Sequence, residues 1–168
     1  MEVRRAKASD AEAVIALMAG LGRPAAERPV RESGPVEGVR GNREVPPATR
    51  DTPFKSQNAV FRAHLDHPDA EIFVAELDGA IAGAVSLWVR PRLNWTTPEA
   101  WIPDLYVDPT FRRRGAARAL LDACVAAARE RGCHRLVLES GHERAEAHQL
   151  YESYGFIHSG RFYGLRLS

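Results

Sequence analysis

Residues 101–121, WIPDLYVDPTFRRRGAARALL, constrain this chain more than any other stretch. Trp101 to Val107 is an apolar run that reads as a strand. Asp108 and Pro109 break it, because proline has no N–H to give a ladder and biases the residue before it away from helix. A few residues on, Arg112-Arg113-Arg114-Gly115-Ala116-Ala117 opens a helix predicted to run to about Arg131. The first N–H groups of a helix have no internal partner, and the macrodipole favours negative charge there. Gly115 has no Cβ to hold a ligand off the backbone, and Arg112, Arg113, Arg114 and Arg118 add mobile positive charge around it. A strand, an arginine-rich turn with one glycine and a helix together predict a pyrophosphate cradle. Neither G-x-x-x-x-G-K-[ST] nor G-x-G-x-x-G is present, so the common nucleotide loops are excluded.

The rest of the chain supplies a scaffold for that turn. Glu2 to Arg5 is a short strand, followed by a helix expected to be capped by Ser9 or Asp10. Glu12 completes a capping box, Ala13 and Leu17 point inward, and Gly20 and Gly22 end the helix. Residues 22–53 are rich in proline, glycine, arginine and glutamate, with isolated apolar residues and no sustained period. Such a segment cannot bury enough surface to offset the entropy of ordering, so it is expected to be a mobile insertion or a functional flap. A helix is predicted from Phe54 to Leu65. Glu71–Leu77 and Ala80–Val89 form a hairpin over Asp78-Gly79, and a loop centred on Trp95 leads back to the strand at Trp101. A strand at Arg135–Glu139, a helix at about 143–154 stopped by Gly155, and two closing strands, 156–159 and 162–167, finish the chain. With 168 residues and no internal repeat, one domain is expected.

Composition excludes several classes. A net charge of +1 gives no global reason to bind nucleic acid or an anionic membrane. The aromatic residues are not interleaved with the basic ones, as a single-strand-binding surface requires. No apolar run is long enough to span a bilayer, and the chain is expected in the cytoplasm. Cys124 falls on the apolar face of the cradle helix with Ala117, Leu120, Leu121 and Ala128, and Cys133 follows a predicted C-cap at Gly132. Both read as inert thiols. His142 and His148 are too far apart for a one-turn chelate, and no metal is expected.

The cradle carries Arg112-x-x-Gly115-x-Ala117, preceded by Val107-x-Pro109 and followed by an apolar helix. Downstream lies Ala147-x-x-Leu150-Tyr151-x-x-x-Gly155-Phe156. In these two motifs the chain resembles the GNAT superfamily of acyl-CoA-dependent N-acetyltransferases. The likeness is sharp over 101–157, loose over 1–21 and 71–90, and absent over 22–53. It implies an α/β (α+β) fold with a mixed, mostly antiparallel six- to seven-stranded sheet and helices on both faces. It implies acetyl-CoA as co-substrate and an amine acceptor, with a homodimer left open because family members are often dimers.

The resemblance also implies residue roles. Leu105, Tyr106 and Val107 would bind the cofactor through backbone N–H groups that polarise the thioester carbonyl. Arg112, Arg113, Arg114, Gly115, Ala116, Ala117 and Arg118 would hold the pyrophosphate. Tyr151 would face the sulfur and protonate the leaving thiolate, although its helical stripe with Ala147, Leu150 and Tyr154 also suits a core aromatic. Where many members have an asparagine that contacts the pantetheine arm seven residues before that tyrosine, this chain has Arg144 as the candidate cofactor contact, in an R-x-x-A-H-x-x-Y arrangement similar to a subgroup that includes small-amine and aminoalkyl acetyltransferases. For the carboxylate that takes the acceptor's proton, the resemblance puts Glu139 first, because its spacing to Tyr151 matches that of catalytic glutamates in the family, and Asp104 second, and each could instead be satisfied by an arginine or a helix start. A longer acyl group, or a non-catalytic acyl-CoA sensor, remains an alternative reading.

Overall fold

The computed structural model of the protein describes residues 1–21 and 56–160. The insertion at 22–53, the first two residues of the helix expected from Phe54 and the last expected strand, 162–167, lie outside the described residues. The elements in order are β1 (Glu2–Arg5), α1 (Ala11–Met18), α2 (Gln57–Asp66), β2 (Ala70–Leu77), β3 (Ala80–Arg90), β4 (Glu99–Ile102), β5 (Leu105–Val107), α3 (Ala116–Glu130), β6 (Leu136–Leu138) and α4 (Ala145–Tyr154). The six strands make one sheet in the order β1-β2-β3-β4-β6, with β5 also paired to β3. Every pairing is antiparallel except β4 with β6.

Local chemistry explains most of these boundaries. The β2–β3 hairpin turns over Asp78 (φ 53°) and Gly79 (φ 82°), the two successive left-handed residues that match the twist of antiparallel strands. Ser56 caps α2 by accepting the Ala59 N–H at 3.2 Å. Gly155, at φ 112°, ends α4, and its N–H reaches the Tyr151 and Glu152 carbonyls.

The sheet is covered on both faces, so β3 at its centre is apolar almost throughout. On one side α1 and α2 pack Val14, Leu17 and Phe61 against Ile72, Val74 and Ala84. On the other, α3 packs Leu120, Leu121 and Cys124 against Phe73, Val85, Leu87, Ala100 and Ile102, with Leu150, Tyr151 and Tyr154 of α4 alongside. Burial pushes the Cys124 thiol up to about 12 and raises Cys133 as well. Neither is a thiolate at neutral pH, as expected of inert cysteines.

Four expectations fail here. The Ser9–Glu12 capping box is absent, because a 3-10 turn at Ala8–Asp10 precedes α1 and Asp10 makes no side-chain cap bond to that helix. Asp10 instead accepts the Lys7 N–H at 2.7 Å and both terminal nitrogens of Arg4, at 2.7 and 3.0 Å. The helix is rotated accordingly, so Ala11, Val14 and Leu17 are buried while Ala13 is exposed. Residues 156–159 form no strand. The run Trp101–Val107 is two strands, interrupted at Pro103 and Asp104, and that interruption creates the site.

Candidate active site

β4 lies between β3 and β6, matching Trp88 to Trp101 on one side and Ile102 to Leu138 on the other. After the break, β5 continues along β3 alone, with Val107 opposite Gly83 and Leu105 opposite Val85. Among the described residues no strand pairs with the other side of β5, so β5 and β6 diverge as a fork. Hydrogen bonds at its two ends orient β5. The Ser86 N–H donates to the Asp104 carbonyl at 2.9 Å, and the Asp108 N–H donates to the Ala82 carbonyl at 2.9 Å. Peptide groups alternate sides along an antiparallel strand, so Leu105 and Val107 turn theirs into the fork. Arg112 Nε, donating to the Val107 carbonyl at 3.3 Å, confirms that direction.

Of the three expected backbone contacts, Leu105 and Val107 therefore reach the fork, and Tyr106 does not. The Tyr106 peptide group faces β3, and its ring packs with the α1-side cluster. It lies so close to Gly20 that a Cβ there would be 2.3 Å from the Tyr106 hydroxyl oxygen.

The arginine-rich turn lies at the head of α3. Arg113 (φ 62°) and Gly115 (φ 85°) are both left-handed, a geometry that gathers N–H groups into an anion-binding concavity. Among the described residues no side chain caps α3, which leaves its first N–H groups open there. A Cβ built on Gly115 would meet nothing nearer than Met1 Cε, at 4.0 Å. The glycine thus leaves room where a phosphate would approach, and a larger residue would fill it. These residues fit the pyrophosphate of CoA.

The arginines around the turn differ. Arg113 is exposed and makes no ion pair among the described residues. Arg114 donates to Asp78 at 2.9 Å, Arg118 lies over the Tyr154 ring at 5.2 Å, and Arg112 lies over the Tyr106 ring at 5.8 Å and 4.0 Å from Glu146. Ala116 is buried and Ala117 half-buried, which leaves their backbone as the available contact. Arg144 donates to the Leu21 carbonyl at 2.7 Å, tying the start of α4 to the end of the α1 region.

Tyr151 packs on the α3-side cluster together with Leu105 and Leu138, which flank the fork, and meets Phe156 edge-on at 5.9 Å. Burial raises its phenol above the usual tyrosine range, with Arg144 opposing, so the proton is held firmly at neutral pH.

The two carboxylates differ in support. Asp104 is exposed at its edge but held by Ser86, whose hydroxyl donates to Oδ2 at 2.9 Å. Ser86 stands two residues after Ala84 of the α1-side cluster, so it and Asp104 lie on the face away from α3. Glu139 is exposed, follows Leu138 directly and makes no hydrogen bond or ion pair among the described residues. Sequence reasoning overlooked Ser86. The signal was present, since one hydroxyl in the apolar run AIAGAVSLWV must find a partner once buried.

A family model described as Acetyltransferase (GNAT) family matches residues 42–156. The chain belongs to that family. It is 29% identical over 87 residues to a glucosamine 6-phosphate N-acetyltransferase of Trypanosoma brucei brucei, covering 51% of this chain and 57% of the relative. It therefore spans little more than half the length of that relative. It is 32% identical over 105 residues to an aminoglycoside N(6')-acetyltransferase type 1 of Stenotrophomonas maltophilia, covering 59% and 69%. In fold it resembles an aminoglycoside N-acetyltransferase in complex with CoA, at a TM-score of 0.72 and 17% identity over 99% of both chains. The six-stranded, largely antiparallel sheet with helices on both faces is the expected fold.

Proposed function

We propose that this protein is an acetyl-CoA-dependent N-acetyltransferase acting on a primary amine of a small molecule or peptide by direct attack. The observation that carries the reading is the coincidence of an open, uncapped α3 N-terminus with a strand fork whose inward peptide groups come from Leu105 and Val107. The relatives named above transfer acetyl groups to amino sugars, which favours an amine as acceptor here.

In this reading Arg113, Gly115 and the first N–H groups of α3 hold the pyrophosphate, and the pantetheine arm follows the fork. The Val107 N–H, aimed into the fork, polarises the thioester carbonyl as an oxyanion hole does. A primary ammonium with a pKa near ~10 must lose a proton before it can attack. Asp104 or Glu139, directly or through water, takes that proton. The amine lone pair then forms the C–N bond as the C–S bond breaks. Tyr151 gives its proton to the departing thiolate and recovers one from the amine nitrogen.

The test is thiol release from acetyl-CoA with an aminoglycoside, glucosamine 6-phosphate and an alanine-terminated peptide, alongside calorimetric titration with CoA. Binding of CoA together with amine-dependent release supports the proposal. CoA binding without release on any amine turns the reading to a sensor domain, and absence of CoA binding removes the cradle from it.

A further inference from the structure

Residue 104 is the point where the sheet hands β5 to β3 alone, and one residue of β3 holds it twice. The Ser86 N–H donates to the Asp104 carbonyl and the Ser86 hydroxyl donates to Asp104 Oδ2, both at 2.9 Å. Ser86 is 6% exposed, one of three buried polar or charged residues among those described. The other two, Asp10 and Glu99, are matched by arginines. Asp104 has no such cation among the described residues. Its neighbour in the network is a neutral hydroxyl that can fix the carboxylate without neutralising it. With Oδ2 engaged by Ser86, Oδ1 has no hydrogen bond among the described residues. Glu139, by contrast, stands beyond the end of β6 with no hydrogen bond or ion pair among the described residues.

We infer that Ser86 is a positioning residue for the transfer reaction, holding Asp104, rather than Glu139, as the carboxylate that receives the acceptor's proton. The inference rests on the proposed acetyltransferase reading and deepens it. Proton transfer depends on a donor and acceptor kept within hydrogen-bond reach. A carboxylate fixed through one oxygen by a buried strand residue meets that need at no further ordering cost, whereas a free glutamate must lose side-chain entropy at each turnover. The chemistry is a simple exchange. An N–H bond of the ammonium breaks, an O–H bond forms at Asp104 Oδ1, and the proton later leaves to solvent.

The experiment is a double-mutant cycle of Ser86→Ala and Asp104→Asn, with Glu139→Gln alongside, on the amine that the wild type acetylates fastest. Asp104→Asn is expected to lower kcat/KM for the amine by about 10²–10⁴-fold, the usual worth of a positioned proton acceptor. Ser86→Ala is expected to lower it by about tenfold to a hundredfold, the worth of one hydrogen bond to a charged group. The double variant should be no slower than Asp104→Asn alone, because Ser86 acts only through that carboxylate. CoA affinity by calorimetry should be unchanged in all of them. Additive losses, an unaffected Ser86→Ala, a parallel loss of CoA binding, or a Glu139→Gln loss as large as that of Asp104→Asn each overturn the inference. These failures leave the acetyltransferase reading intact, whereas a wild type that acetylates no amine refutes both.

Discussion

Gly115 and Gly132 bracket α3 and provide a matched pair of perturbations. Both are left-handed, at φ 85° and 66°, and a Cβ on either meets no protein atom closer than 4.0 Å. Substitution by alanine therefore costs backbone strain at each site without a clash, about 1–2 kcal/mol. In a chain of this size that lowers Tm by about 2–8 °C. The two should differ in ligand binding. At Gly115 the new methyl group stands where a phosphate would approach, and straining the turn moves the N–H groups that would meet it. Losing one hydrogen bond to a charged group weakens binding by about 1.5–3 kcal/mol, roughly tenfold to a hundredfold in Kd. At Gly132, beyond the other end of the helix, affinity should not change. Differential scanning calorimetry gives the stability arm and titration calorimetry with CoA gives the affinity arm. Equal CoA affinities for Gly115→Ala and wild type, or an equal loss in Gly132→Ala, would refute the assignment of the turn. Gly115→Val, with a β-branched side chain in a left-handed position, should abolish binding in a protein that still melts cooperatively.

Tyr151→Phe should keep CoA affinity and lower kcat by about 10²–10⁴-fold, and an unchanged kcat in steady-state assays would return Tyr151 to the role of a core aromatic. Glu99 is fully buried and shared by Arg90, Arg92 and Arg135; because those arginines are 40, 39 and 45% exposed, Glu99→Gln should cost about 2–3 kcal/mol, less than a pair buried on both sides. Although burial opposes it, hydrogen bonds from Arg90 and Arg135 hold the Glu99 carboxyl below the usual range. Its contribution is therefore present above the unfolded pKa near ~4.3 and lost as pH falls through the lower folded value. Melting curves of wild type and Glu99→Gln should begin to draw together as pH falls below about 4.3 and go on doing so through the lower folded value, and a constant gap down to pH 2 would contradict this. Gly20→Ala should destabilise by about 1–3 kcal/mol through its clash with the Tyr106 ring, and denaturant curves superposing on wild type would mean that the ring swings clear.

Much of this molecule was legible in the chain because it depends on neighbours a few residues apart. The Asp78-Gly79 hairpin follows from which residues tolerate positive φ. The buried stripe of α3, through Leu120, Leu121, Cys124 and Ala128, follows from a period of 3.6. The left-handed turn that opens α3 follows from a strand stop and one glycine set before a helix, and Gly155 marks the end of α4 in the same local way.

Contacts between distant parts of the chain were decided by the tertiary structure. Trp101 to Val107 carries a local break in Pro103 and Asp104, but only the pairing decides that β4 is shared by β3 and β6 while β5 stays on β3 alone. Asp10 has the chemistry of a helix cap, but its carboxylate goes to Arg4, brought alongside by β1, and to the Lys7 N–H, and not to the first N–H groups of α1. Tyr106 sits in a motif expected to meet the cofactor, yet strand alternation turns its ring to the α1 face. Spacing to Tyr151 put Glu139 ahead of Asp104, and the tertiary structure treats the two carboxylates differently. Their difference lies in Ser86, 18 residues from Asp104 in the chain, a neighbour that no local pattern specifies and that only the pairing of β3 with β5 brings within reach.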